Sequence, residues 1–249
     1  LEIDVEKRNN SKANHSATHL LHESLRRTLG KHVTQKGSLV SPDRLRFDFS
    51  HNKPITDEEI SKINEAVNDI VKGSSEVQTR IMTPKEAVKM GALALFGEKY
   101  GEEVRVVFMG KENNNFFSTE LCGGTHVKNT KEIGKFKVIR QSSIAAGVRR
   151  MEALRDKQLK DFENYEKGEK KEKSKEAFKT LKLVMDKLKE LGEKPKLSEE
   201  DINLEENLMP KVKILKDQLN SARVKFILND AEMNKIKDIK IKDFILRYQ

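Results

Sequence analysis

Cysteine is almost absent from this chain. Cys122 is the single one among 249 residues, so it has no partner for a disulfide. No apolar run approaches the length of a membrane span, and no signal-peptide pattern opens the sequence. A lone cysteine in a metal-type setting points to a reducing compartment, and the cytoplasm is the expected location. The first residue is Leu1 and not methionine, which leads us to expect a piece of a longer polypeptide. Charge, by contrast, is plentiful: 49 lysines and arginines against 40 acidic residues give a net charge of +9 and a pI near 9.4. Such an excess favours a polyanionic partner, although lysine-rich solvated helices alone can produce it.

The cysteine lies in the run Leu121-Cys122-Gly123-Gly124-Thr125-His126, far downstream of a helix-like segment that carries His15 and His19. Histidines at i and i+4 share one helical face, and a thiolate with a third imidazole on a glycine-rich loop can close a tetrahedron around one ion. Thiolate with imidazole suits zinc far better than the oxygen-seeking magnesium or calcium. The plainer alternative is a buried thiol among ordinary solvated histidines. His22 lies on nearly the same helical face and is a rival ligand, read here as a surface histidine or one that supports a ligand. A zinc peptidase would carry Glu after its first histidine, where this chain has Ser16, so that activity is excluded.

Along the chain, residues from about Asn14 to Leu29 read as an amphipathic helix through Leu20, Leu21, Leu25 and Leu29, ended by Gly30. Leu45, Phe47 and Phe49 alternate as a strand, with Arg46 and Asp48 on the opposite face. Thr56 and Glu59 form a capping box ahead of Ile60, Ile63, Val67 and Ile70. Val77, Thr79 and Ile81 alternate again, and Thr83-Pro84 opens a short helix. Further strands are expected at Val104–Met109, Phe136–Arg140 and Val148–Leu154. Helices mixed with non-repeating strands predict an α+β domain over residues 1–155. A lysine-rich helical region follows over residues 156–249. There Phe178, Leu181, Met185 and Leu188, and then Leu208, Val212, Leu215 and Leu219, recur at spacings of three and four, predicting an antiparallel helical hairpin. Gly192, Pro195 and a cap from Ser198 to Asp201 separate the two runs. Those apolar seams are also suited to pairing two protomers as a homodimer. At the end, Ile236, Ile239, Ile241 and Ile245 alternate weakly, as in a small strand or a frayed terminus.

Several motifs converge. Asn14-His15-Ser16-Ala17-Thr18-His19-Leu20-Leu21-His22, Gln35-Lys36-Gly37-Ser38-Leu39-Val40, Leu45-Arg46-Phe47-Asp48-Phe49-Ser50-His51, Glu120–His126 and Ala145-Ala146-Gly147-Val148-Arg149-Arg150 closely resemble, in the same order, the editing region of the alanyl-tRNA synthetases. The resemblance spans about Asn14 to Leu154. Free-standing AlaX-type editing proteins share the metal motif. Threonyl-tRNA synthetases have a related domain, but their loop typically reads Arg-Gly-Pro where this chain has Gly123-Gly124-Thr125. The resemblance implies that one zinc ion is held by His15, His19, Cys122 and His126. It also implies that alanine tRNA wrongly charged with serine or glycine is hydrolysed, with Gln35 in the amino-acid pocket. The lysine-rich tail matches the family only loosely, and its glycine-rich C-terminal domain cannot be placed here. No ATP-binding or class II catalytic segment is recognised, so aminoacylation is expected of the parent ligase and not of these residues.

Chemistry explains why such a second site is needed. One methyl group changes binding by only about 1–3 kcal/mol, so a pocket sized for alanine cannot exclude glycine. A hydrolytic sieve that admits serine but refuses alanine needs polar groups, since a buried partner left unpaired costs about 1–3 kcal/mol. Thr34, Gln35 and Ser38 are the candidates for this pocket; the alternative for Thr34 and Ser38 is an ordinary polar strand or turn. Gly123 and Gly124 are expected either to bring backbone amides close to the ester oxygen or to serve only as a tight turn. Arg46, Arg149 and Arg150, on predicted strands, are candidates for phosphates of the acceptor end. Two alternatives stand beside this reading: a free-standing AlaX-type deacylase, and a zinc-stabilised tRNA-binding or dimerising module without turnover.

Overall fold

The computed structural model describes residues 2–93, 101–113, 115–233, 238–241 and 244–247. The chain divides into two compact units after Glu163, somewhat beyond residue 155. The reason is local: the start of helix α4 (Asp156–Glu190) packs on the first unit, where Leu159 is fully buried and Glu163 pairs with Lys135 at 3.2 Å.

The first unit mixes helices with antiparallel sheets. Helix α1 (Val5–Leu29) starts at Asp4, whose carboxylate accepts from Lys7 N, and stops at Gly30, whose φ of 119° favours glycine. It is followed by β1 (Gln35–Val40), β2 (Leu45–Ser50), α2 (Asp57–Lys72), β3 (Gln78–Met82), α3 (Pro84–Lys89), β4 (Val104–Glu112), β5 (Asn115–Leu121), β6 (Phe136–Ala145) and β7 (Val148–Arg155). The four-stranded sheet runs β1-β2-β7-β6 and the three-stranded sheet β3-β4-β5. Both expected capping boxes are present, Thr56 with Glu59 and Thr83 with Glu86. Leu20, Leu21 and Leu25 of α1 and Ile63 and Val67 of α2 join Phe47, Phe49 and Met151 in one core, which fixes the face that α1 turns to the sheet.

Helix α1 begins well before Asn14, because its first turns are held by polar bonds that leave no apolar periodicity. The buried Arg155 donates from Nε to Asn14 Oδ1 at 3.0 Å and from Nη2 to Asn10 O and Oδ1 at 3.0 and 2.9 Å. Arg155→Ala should therefore unfold the start of α1 and cost about 1.5–3 kcal/mol, read as a lower urea midpoint at unchanged m-value. The sequence pattern also missed β1 and β5 as strands. In β5 the buried positions include Ser118 and Glu120, so apolar alternation is broken where the strand enters the site. Ile81, expected to alternate inward, lies on the edge strand β3 and is 68% exposed.

In the second unit, Leu181, Met185 and Leu188 of α4 pack against Leu208, Val212, Leu215 and Leu219 of α5 (Met209–Met233). The expected apolar seams thus meet each other within one chain. The antiparallel hairpin is not formed, however. Ser174 Oγ donates to Leu204 O at 2.6 Å just ahead of α5, while Glu193, just past α4, pairs with Lys225 near the far end of α5 at 3.3 Å. The two helices therefore run in the same direction. The intervening segment is long enough to return along α4, and it contributes Leu197 and Ile202 to the interface. Ile239 and Ile241 fall in β8 (Asp238–Ile241) and Ile245 in β9 (Phe244–Arg247), an antiparallel pair; Ile236 lies outside the described residues. No described helix is long and apolar enough to cross a membrane.

Candidate metal centre

One turn of α1 separates His15 from His19, and the loop after β5 brings Cys122 and His126 against them. The four ligand atoms lie within 4.8 Å of one another. Cys122 Sγ is 3.5 Å from His15 Nε2 and 3.3 Å from His126 Nε2. Each imidazole has a second partner behind it. His15 Nδ1 is 3.3 Å from Thr125 O, His126 Nδ1 is 3.1 Å from Ser16 Oγ, and His19 Nδ1 is 2.9 Å from Glu120 Oε2. Contacts of this kind fix the tautomer and aim Nε2 inward, as in metal-binding histidines generally. The donor set can hold a metal ion, and sulfur with three nitrogens suits a borderline-soft one.

The loop itself is pinned from beneath. Arg105 Nη1 donates to the carbonyls of Cys122 and Gly124 at 2.7 and 2.6 Å, and Cys122 N returns a bond to Arg105 O at 3.0 Å. Gly124 N points at Cys122 Sγ, 3.4 Å away, so this amide serves the sulfur. The two glycines differ sharply. A methyl group on Gly124 would overlap Cε1 of His15 and lie 2.8 Å from its Nδ1, whereas one on Gly123 would meet nothing within 4 Å. Close approach of an imidazole, therefore, is what Gly124 permits.

Charge follows the same arrangement. Burial opposes a thiolate at Cys122, but hydrogen bonds from His126, His15 and His19 outweigh it and bring the thiol down to about 3. Burial keeps His126 neutral, down to about 4, despite its bond to the sulfur. His19 and the buried Glu120 hold each other charged against the cost of burial, His19 rising to about 10 and Glu120 falling below the usual carboxylate range. Ligation by His19 requires that it give up that proton.

A cavity of about 120 Å³ opens beside the cluster, lined by His15, His19 and Cys122 together with Thr18, His22, Gln35, Ser38, Phe47, Leu93, Glu120 and Leu121. It can hold several waters or one small side chain and is smaller than drug-sized pockets of roughly 300–1,000 Å³. The register of β1 slips between Gln35 and Gly37, and this bulge lets Gln35 and Ser38, three residues apart, both reach it. Gln35 Nε2 is 3.4 Å from Ser38 Oγ.

Residues 104–152, running from β4 into β7 through Cys122 and His126, match the family described as threonyl and alanyl tRNA synthetase second additional domain. Over 157 residues the chain is 58% identical to the alanine–tRNA ligase of Parvibaculum lavamentivorans, covering 62% of this chain and 18% of that protein. The matched part of this chain is of the alanyl-tRNA synthetase type. Alanine–tRNA ligases of Ruegeria sp. and Sphingopyxis alaskensis are 58% and 57% identical over 160 and 154 residues, each covering 62% of this chain. The chain spans less than a fifth of the length of these relatives, 18%, 18% and 17% respectively.

Within this synthetase-type unit not every expected residue reaches the cavity. Thr34 Oγ1 lies 2.9 Å from Ser50 Oγ, tying the ends of β1 and β2, and does not line the pocket. Arg150 grips the buried Asp48 through two bonds of 2.7 and 2.8 Å, and Arg46 Nε lies 3.6 Å from the same carboxylate. Because Arg46, Asp48 and Arg150 alternate with Phe47 and Met151, they occupy the sheet face opposite the cavity. Arg149 donates to Gln141. Arg149 and Arg150 thus spend donors inside the sheet, whereas Arg46 makes only the longer ion pair and its Nε has no hydrogen-bond partner among the described residues. Sequence reading missed Glu120, Arg105 and Ser16 as supports of the centre. Ser16 had a signal, since it follows the first histidine of the cluster on α1, and its Oγ also accepts from Val127 N at 3.2 Å.

Proposed function

We propose that this chain hydrolyses the ester of alanine tRNA mischarged with serine or glycine, using a zinc centre formed by His15, His19, Cys122 and His126, as part of an alanine–tRNA ligase. The observation that carries the reading is a cavity of about 120 Å³ lined both by two polar residues of β1, Gln35 and Ser38, and by His15, His19 and Cys122 of the four-residue cluster. Zinc fits the donors: bonds of about 2.3 Å to sulfur and 2.0–2.1 Å to nitrogen give an N···S edge of about 3.6 Å. The corresponding separations here are 3.5 and 3.3 Å. When bound, the ion supplies a fixed positive charge and locks helix and loop into one wall.

Four protein ligands make a closed site, so we assign catalysis chiefly to positioning. Gln35 and Ser38 orient the aminoacyl group and a water, and an aminoacyl ester is labile enough for that to matter. The acceptor end of the tRNA is the macromolecular partner. The deciding assay follows hydrolysis of serine-, glycine- and alanine-charged alanine tRNA with zinc measured on the same sample. Selective loss of serine and glycine is expected; tRNA binding and full zinc without turnover would instead make the unit a binding module. Gln35→Trp should fill the cavity and lower turnover at least about tenfold while tRNA affinity stays within about twofold. Unchanged turnover would remove Gln35 from the pocket.

A further inference from the structure

His22 is 6% exposed, and its ring packs on Phe47 with centroids 5.1 Å apart. Its two nitrogens are in different situations. Nδ1 lies 3.2 Å from Glu120 Oε1, while Nε2 is buried with no hydrogen-bond partner among the described residues, although the ring lines the cavity. The tautomer that donates from Nδ1 to this carboxylate oxygen presents a lone pair at Nε2. None of the polar neighbours around the cavity bonds to Nε2. Thr18 Oγ1 donates to Asn14 O at 2.8 Å, Gln35 bonds Ser38, and Glu120 also receives Ser118 Oγ at 3.3 Å. A buried acceptor without a donor is costly, and a ligand hydroxyl would relieve it.

We infer that His22 is a specificity-determining residue, whose Nε2 accepts the hydroxyl of a serine side chain held in this cavity. The inference rests on the proofreading reading above and names which group admits serine. An alanine methyl in the same place would exclude water from Nε2 and leave it unpaired, so the site disfavours the correct product. Glycine has no side chain to reach Nε2 and leaves room for water there. Serine and glycine thus enter the same pocket by different means, and only serine depends on His22. Glu120 contributes by setting the tautomer, and through its other oxygen it holds His19 at 2.9 Å, so the serine acceptor and a metal ligand share one orienting carboxylate.

The test is His22→Asn, whose amide can occupy the Nδ1 position and still donate to Glu120 but does not extend to Nε2. On the whole chain, kcat/KM for serine-charged alanine tRNA should fall about 10- to 100-fold, the weight of one buried hydrogen bond, while the glycine-charged substrate stays within about twofold. Zinc content should not change. His22→Gln, which carries an acceptor near the Nε2 position, should recover part of the serine activity. Equal losses on both substrates, or no loss on either, would make His22 a structural partner of Glu120 alone and overturn the inference. In the unaltered chain, the His22 Nε2 nitrogen-15 resonance should shift with an amide-linked seryl-adenosine analogue and not with the glycyl one; equal shifts would also overturn it. Failure of the unaltered chain to hydrolyse either ester would sink the proofreading reading itself, a result separable from a variant that loses both substrates.

Discussion

Cys122→Ala is expected to weaken zinc retention by more than about a hundredfold, because loss of a supporting partner alone typically costs 10–100-fold. Deacylation of serine-charged tRNA should fall with it. The sulfur is the hub of the cluster, contacted by His15 Nε2, His126 Nε2 and the Gly124 amide. Removing it leaves three imidazoles around an empty corner and Gly124 without its acceptor. Metal analysis after dialysis against a weak chelator, paired with the deacylation rate, measures both effects. Full zinc together with full turnover would take Cys122 out of the site.

The second large effect is steric. Gly124→Ala should displace the His15 ring, since the new methyl would overlap Cε1 and come within 2.8 Å of Nδ1. The His15 ring is held at its Nδ1 by the Thr125 carbonyl on the same loop, so ring and loop cannot separate without losing that contact. We expect at least tenfold weaker zinc binding and a parallel loss of turnover, comparable to losing an orienting contact. Gly123→Ala, one residue earlier, should leave zinc binding within about twofold, because nothing lies within 4 Å of the added group. If Gly123→Ala instead keeps zinc but loses turnover, the backbone there approaches the substrate; if both variants bind zinc normally, the close approach of His15 is not needed.

The parts of the site that were legible in the sequence are those that local geometry dictates. An i, i+4 histidine pair inside a leucine-periodic helix places both rings on one face whatever else the fold does, and Cys122 with His126 on a glycine-rich loop needs only a turn to converge. The capping boxes were legible for the same reason, each being a contact across three residues. Glu120 was not, because its partners His19 and His22 lie about a hundred residues away and a glutamate in a strand is ordinarily a solvated residue. Arg105 is a similar case, an arginine near the start of β4 whose role rests on two carbonyls of the loop. Asp48 read as an outward-facing polar residue, yet its burial is made tolerable by Arg150 directly across the sheet.

Taken alone, the amino-acid order determined which residue types could form the cluster, the faces of the helices and most of the strands, since these follow from periods of 3.6 and 2 residues and from turn chemistry. Only the tertiary structure decided which polar residues share the cavity. The β1 bulge admits Gln35 and Ser38, Ser50 takes Thr34 away, and the pairing of β2 with β7 places Arg46 and Arg150 on the other face. It also decided that α4 and α5 run in one direction, because heptad spacing fixes which face of a helix is buried but carries no sign for the direction of its partner.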